Sequence, residues 1–268
     1  MASFSVVSNV ASTNALANLI GTQGGLSRTL QRLSSGLRIN NSGDDAAGLS
    51  VANAYQATVT TYKQGMRNAN DGLSTLHIKD GALGNIQSLL NRLATLSSQA
   101  ASGSTTDSSR LTLDQEFQAV LAEIQRESVV AGTSTLSGFS VFVSGGGATG
   151  SVAGTLSAVT TATLGLSSLV LTGQAWAATA AAAIATAVSN LGQVQGVIGT
   201  LENRLQFAIS LAQTQVTNTT AAESRIRDAN IAEEAANLSR LTILNQAGIA
   251  ALAQANSSSD GIMALLRQ

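Results

Sequence analysis

An apolar repeat that alternates steps of three and four residues constrains this chain most. It runs through Ala52, Tyr55, Val59, Tyr62, Met66, Ala69, Leu73, Leu76, Leu83, Ile86, Leu90 and Leu93. Such spacing is typical of a helix that buries one stripe against a partner helix. The chain contains no proline, the residue that most often interrupts a helix interior. We therefore predict one helix from Asp45 to about Ser102, a length that requires a rod or bundle of helices.

Further repeats predict the partners of this helix. A second repeat begins after an alanine-rich run near Ala177, and its members fall seven apart: Ile184, Leu191, Ile198, Leu205 and Ala212. We expect it to form the antiparallel partner. A third helix is predicted from about Leu113 to Val130, with Phe117, Val120, Leu121 and Ile124 on one face. The predicted fold is mainly α: a long antiparallel helical hairpin or coiled-coil bundle, with a small β-hairpin region in the middle of the chain.

The two ends of the chain resemble each other. Near the N-terminus the seam is Leu16, Leu19, Gln23, Leu26, Leu30, Leu33 and Leu37, and near the C-terminus it is Ile231, Ala235, Leu238, Leu241, Ile249 and Leu252. Exposed helices normally carry a charged outer face, and these ends carry few charges. We therefore expect other subunits to pack against them. We also expect disordered ends in the monomer, because we identify no partner within one chain large enough to cover both.

A linker separates the first two predicted helices. Residues 34–36 and 40–43 are rich in types that favour turns. Asp44 and Asp45 follow, where a carboxylate can accept from free N–H groups and complement the helix dipole. Ser42 with Asp45 three residues later is a weaker form of the capping box. These three residues are the predicted linker and helix cap.

The middle of the chain has no charged residue from Ser128 to Leu201. Phe139, Val141 and Val143 alternate with other residues and predict a short strand, followed by a turn at three consecutive glycines. The stretch 164–171 is interpreted as a further strand or two. Trp176 is expected to be a packing anchor where the return helix begins.

Composition excludes several classes of function. Net charge is −1 and only 11% of residues are charged, which argues against a nucleic-acid partner. The absence of cysteine excludes disulfides and thiolate catalysis, and His77 is the only histidine. We identify no arrangement of residues that predicts an active site, a metal site or a cofactor site. The most apolar run, residues 175–188, is too short to predict a membrane span.

Several motifs resemble those of bacterial flagellin, the filament subunit. They are LSSGLRIN and DDAAGL in the linker, RNANDG at residues 67–72, SRIRDANIAEEAANLSR at residues 224–240, and NQAGIAALAQAN at residues 245–256. The resemblance implies a subunit that polymerises into the helical filament used for motility, and no enzyme. The alternative is a hook–filament junction protein or another coiled-coil component of a type III export axis. In junction relatives proline usually follows the acidic pair, whereas here Ala46 follows it.

The resemblance also implies an architecture and partners. Residues 1–42 with 229–268 would form inner-tube terminal helices, residues 43–135 with 177–228 an outer-tube helical core, and residues 136–176 a small β-rich variable region. The partners would be other copies of the chain, an export chaperone at the C-terminal segment, and hook-associated and cap proteins. The first 27 residues contain no Lys or Arg, so no secretory signal is predicted. The expected location is the extracellular filament, reached without signal-peptide cleavage.

A further implied partner is the innate immune receptor Toll-like receptor 5. Flagellins that engage it carry a pattern close to QRVRELAVQ and a later acidic residue. In this chain Arg92, Leu96, Gln99 and Glu116 match, whereas Ala94 and Thr95 replace two charged residues. The alternative is that Arg92 and Glu116 bridge neighbouring subunits.

Overall fold

The computed structural model describes residues 9–135, 137–144 and 150–266. Its elements are α1 (Val10–Ser35), α2 (Ala46–Ala101), α3 (Asp107–Val130), β1 (Ser137–Phe142), β2 (Ser151–Leu156), α4 (Gln174–Arg227) and α5 (Ile231–Leu266). The fold is mainly α with one small antiparallel sheet, as the sequence predicts. Packing divides the chain into two compact units, one of residues 1–57 with 218–268 and one of residues 58–217.

The core of the unit formed by residues 58–217 lies among α2, α3 and α4. The heptad predicted for α4 is confirmed, because all five of its members are buried: Ile184, Leu191, Ile198, Leu205 and Ala212. Leu83, Leu90 and Leu93 on α2 are completely buried, as is Phe117 on α3. Fully burying a side chain of this size stabilises a fold by roughly 1.5–3 kcal/mol, so these rows hold the helices together.

Helix α3 begins at Asp107, earlier than the predicted Leu113. The Thr106 side chain accepts from the Ser109 backbone N–H at 3.3 Å and caps the helix. Arg110 fixes this first turn, since its Nε donates to the Ala100 carbonyl at 2.9 Å. The apolar pattern does not predict the first turn of α3, because hydrogen bonds of polar side chains stabilise it.

The two strands form a hairpin that packs against the helices of the same unit. They are antiparallel, with Ser137 opposite Leu156 and Phe142 opposite Ser151. Gly65 on α2 allows the closest approach, since a Cβ there would lie 1.8 Å from the Val143 carbonyl oxygen. A residue without a Cβ is required where backbones approach this closely.

The strand predicted at residues 164–171 is wrong. These residues form turns, and Gly165 has a φ of 73°. The backbone N–H of Leu171 donates to Asp114 of α3 at 2.7 Å, and the Leu169 carbonyl accepts from Gln118 at 2.9 Å. Leu164, Leu166 and Leu171 are buried, but α3 satisfies backbone groups that a neighbouring strand would otherwise bind. Trp176 is 63% exposed, so it is not the predicted packing anchor.

In the other unit, α1 and α5 pack against each other. A Cβ on Gly248 would lie 3.3 Å from Leu19, and one on Gly25 would lie 3.4 Å from Leu241. The Asn9 side chain donates to the Ala255 carbonyl at 2.9 Å. Among the described residues, α1 and α5 are therefore partners within one chain, whereas the disordered ends were expected because no such partner was identified.

Candidate subunit interface and linker

Helix α1 divides its apolar residues between two faces. The side chains that are buried or half-buried recur every three or four residues: Ala15, Leu19, Thr22, Leu26, Thr29 and Leu33. Leu16, Ile20 and Leu30 lie on another face and are 46%, 61% and 47% exposed. The members of the predicted leucine seam therefore do not all lie on one face of α1. Only Leu19, Leu26 and Leu33 lie on the face that α5 covers.

Helix α5 shows the same division. Its buried or half-buried side chains include Leu238, Leu241 and Leu252 of the predicted stripe. Ile231 and Ile249 of that stripe are about half exposed, at 49% and 53%. The structure thus brings six predicted subunit-packing residues together within one chain: Leu19, Leu26, Leu33, Leu238, Leu241 and Leu252.

We call the exposed apolar residues of these two helices the outward rows. They consist of Val10, Leu16, Ile20 and Leu30 on α1, and of Ile231, Ile243, Leu244 and Ile249 on α5. Val10, Ile20 and Ile243 were missed because they do not belong to the predicted seams. Apolar residues outside a seam are a signal that a helix has more than one buried face. Leu37, also predicted, lies half-buried in the linker.

The linker is a series of capped turns. Asp45 caps α2, its Oδ1 accepting from the Gly48 N–H at 2.8 Å. Asp44 instead accepts from the backbone N–H groups of Asn40 and Asn41, each at 3.1 Å. Ser42 is exposed in the turn before these residues, so the capping box predicted for it does not form. The cap of α2 is Asp45 alone.

Electrostatics favour the charged form of Asp44. The hydrogen bonds from Asn41 and Asn40 hold the pKa of its carboxyl below the ordinary 3.8, and the positive charges of Arg32 and Arg28 act in the same direction. Arg32 lies 3.9 Å from Asp44 and 3.3 Å from Glu234 of α5. A single guanidinium thus joins α1, the linker and α5.

The linker is also tied to the end of α4. Leu37 forms an isolated antiparallel bridge with Asp228. The Arg38 backbone N–H donates to the Arg227 carbonyl at 2.6 Å, and its side chain donates to the Ile226 carbonyl at 2.7 Å. Residues of two flagellin-like motifs, at positions 33–40 and 224–240, therefore contact each other.

The residues matched to the receptor pattern are not all on the surface. Arg92 and Glu116 form an exposed ion pair between α2 and α3, with Nε to Oε1 at 2.8 Å. Gln99 is exposed as well, but Leu96 is only 1% exposed. Leu96 is therefore wrong as a contact residue, because its side chain belongs to the core between the helices.

Reactive chemistry is not evident in the described residues. Within them, no group of three or more His, Asp or Glu side chains has the arrangement of a metal site. His77 Nδ1 lies 3.0 Å from Glu202 and is otherwise largely exposed. Helix α4 is long and apolar enough to cross a membrane on length and composition alone, but core helices meet this criterion too.

Comparisons with known proteins agree with these motifs. A family model described as the bacterial flagellin N-terminal helical region matches residues 6–142, and one described as the bacterial flagellin C-terminal helical region matches residues 181–266. This chain belongs to the bacterial flagellin family. A flagellin of Halalkalibacterium halodurans is 34% identical over 251 residues, which cover 90% of this chain and 91% of that protein.

Other relatives carry filament names. The flagellar filament core protein flaB2 of Brachyspira hyodysenteriae is 30% identical and covers 97% of this chain and 98% of its own length. A crystal structure of Bacillus cereus flagellin is 27% identical, covers 59% of this chain and 94% of its own, and has a TM-score of 0.49. The names of the relatives favour a filament subunit over the junction alternative. As a flagellin, this chain is a structural subunit that polymerises into the extracellular flagellar filament.

Proposed function

We propose that the outward rows of α1 and α5 are the surfaces through which copies of this flagellin pack in the filament. The observation that carries this proposal is the exposure of Ile20 at 61% and Ile243 at 65% on helices whose other faces already cover each other. Apolar side chains that one chain leaves exposed on a helix can be covered by a neighbouring molecule. In this arrangement the α1–α5 pair lines the inner tube, and the α2–α4 helices form the outer tube.

The free energy that one side chain of the outward rows contributes to assembly follows from the burial of that side chain. Covering an isoleucine side chain contributes roughly 1.5–3 kcal/mol, and each 1.4 kcal/mol changes an equilibrium constant about tenfold. Replacing Ile20 by glutamine should therefore raise the critical concentration for filament formation by roughly 10- to 100-fold. The monomer should keep its stability, because this side chain contacts little within the chain.

The test is a sedimentation assay of assembly with a matched control. Ile78 is an isoleucine on helix α2, 68% exposed, and lies in the other unit. Ile78→Gln should assemble at close to the normal concentration, whereas Ile20→Gln should not. Equal effects of the two substitutions, or normal assembly of Ile20→Gln, would refute the proposal.

The flagellin family is one of structural proteins, and this supports the proposal that the chain has no enzymatic activity. We also propose export without signal-peptide cleavage, with a chaperone held at α5 and with hook-associated and cap proteins as later contacts. The apolar side chains exposed on α5 support the chaperone. Co-purification by the full chain, but not by a chain ending at Ser224, would test it.

Recognition by Toll-like receptor 5 is proposed through Arg92 and Gln99, which are exposed, and Glu116, which is half-buried. The missing charges at Ala94 and Thr95 should make the soluble monomer less potent than flagellins with the full pattern. In reporter cells, Ala94→Arg with Thr95→Glu should increase potency. No change in potency would contradict this contact.

A further inference from the structure

A polar groove lies beside the apolar contact between α1 and α5. Its volume is about 190 Å³, and side chains of both helices line it, among them Arg28, Arg32, Glu234 and Arg240. Three guanidinium groups therefore face one carboxylate. Such an excess of positive charge is unusual in a unit whose two helices are otherwise nearly uncharged.

Two of these arginines form no ion pair among the residues that the structure describes, although the charge of Arg28 also acts on Asp44. Arg32 is paired with Glu234. Arg28 donates only to the Gly24 carbonyl, at a long 3.4 Å, and Arg240 donates to the neutral Asn237 side chain at 3.0 Å. Each guanidinium has five N–H donors, so most of their donors are left to water in the single chain.

Assembly changes the environment of these two groups. Arg240 lies three and four residues before Ile243 and Leu244 of the outward rows, so a neighbouring copy that covers those residues also removes water from the Arg240 side of the groove. A charged group that loses water without gaining a partner is strongly destabilising, whereas a carboxylate accepts from a guanidinium in a paired, planar geometry. The groove therefore needs an anion that arrives with the neighbouring copy.

We infer that Arg28 and Arg240 receive a carboxylate side chain from a second copy of this chain. The inference rests on the proposed packing of the outward rows. It extends that packing by naming a polar contact that fixes the register of one copy against the next. Apolar rows alone allow sliding, whereas an ion pair of this kind is satisfied in one register.

Glu233 is the carboxylate that we assign to this contact. The acids of the same unit that already have partners are Asp44, Asp45, Asp228 and Glu234. Glu223 is half-buried, and the side chain of Asp260 lies outside the described residues. Glu233 is exposed in the first turn of α5.

The experiment measures the critical concentration for assembly at low and high NaCl. We expect Arg28→Gln with Arg240→Gln to raise it about tenfold or more at low salt, and Glu233→Gln to do the same. Combining the three substitutions should be no worse than either change alone, because each removes the same pair. Arg225→Gln, an exposed arginine of the same unit outside the groove, is the matched control and should assemble normally.

Each outcome decides one point. Circular dichroism should show unchanged monomers, since these arginines make only weak bonds within the chain. Normal assembly of the groove variant, Arg28→Gln with Arg240→Gln, would overturn the inference. The apolar packing would still be tested separately by Ile20→Gln. Weak assembly of the groove variant with normal assembly of Glu233→Gln would overturn the assignment of Glu233. Recovery of assembly by Arg240→Glu combined with Glu233→Arg would support both.

Discussion

Replacing Gly65 by alanine tests how closely the β-hairpin lies on α2. An added Cβ would be 1.8 Å from the Val143 carbonyl oxygen, whereas real Cβ contacts essentially never fall below 3.0 Å. The obstacle is backbone, which cannot turn aside like a flexible side chain. The hairpin must therefore move by about 1.2 Å, and it carries Val143, which is only 3% exposed.

Helix propensity and overpacking change the free energy of unfolding of Gly65→Ala in opposite directions. Alanine is better than glycine inside a helix by about 1 kcal/mol, whereas overpacking a tight contact costs about 1–3 kcal/mol and occasionally more. We expect the cost to be at the upper end, because two segments of backbone meet. The free energy of unfolding should then fall by about 2 kcal/mol in Gly65→Ala.

The matched control lies in the same helix. A Cβ added at Gly84 would have no neighbouring atom within 4 Å, so Gly84→Ala should raise the free energy of unfolding by about 1 kcal/mol. Urea denaturation followed by circular dichroism measures both variants. If Gly65→Ala is as stable as Gly84→Ala, the close approach of the hairpin backbone to α2 is refuted.

Three other changes test the core, the linker and the α2–α3 turn. Phe117→Ala should lower the free energy of unfolding by about 3–5 kcal/mol in urea denaturation, because the ring is completely buried. The exposed Leu111→Ala should change it by less than about 0.5 kcal/mol, and a similar loss in both variants would contradict this reasoning. The stabilisation from Asp44 should be complete above its ordinary pKa of 3.8 and disappear as pH falls through the lower pKa of the folded chain. Acid unfolding followed by circular dichroism should therefore be less steep in Asp44→Asn than in the parent, and identical curves would argue against the lowered pKa. Arg110→Ala should cost about 2–3 kcal/mol in urea, since the buried guanidinium binds two carbonyls at the turn. A neutral result there would show that water replaces these bonds.

The sequence by itself determined the helices, many of their buried rows and the family. The seven-residue spacing of Ile184, Leu191 and Ile198 predicts one helical face, and all three are buried. Such a pattern can be recognised in the sequence because burial on a helix repeats with the helix period, whichever element packs against that face. The motifs in the linker and near the C-terminus are likewise local, and they identify the flagellin family without any coordinates.

Only the tertiary structure decided which residues of a seam face the chain's own partner. Leu19 and Leu30 belong to one predicted seam, yet Leu19 is covered by α5 and Leu30 is 47% exposed. Leu96 lies in the core although the resemblance implied a receptor contact. The turns at residues 164–171 depend on Asp114 and Gln118, which are about 50 residues away in the chain. A sequence pattern reports that a side chain is apolar, but the neighbour that covers it is set by long-range packing, and the pattern does not encode that choice.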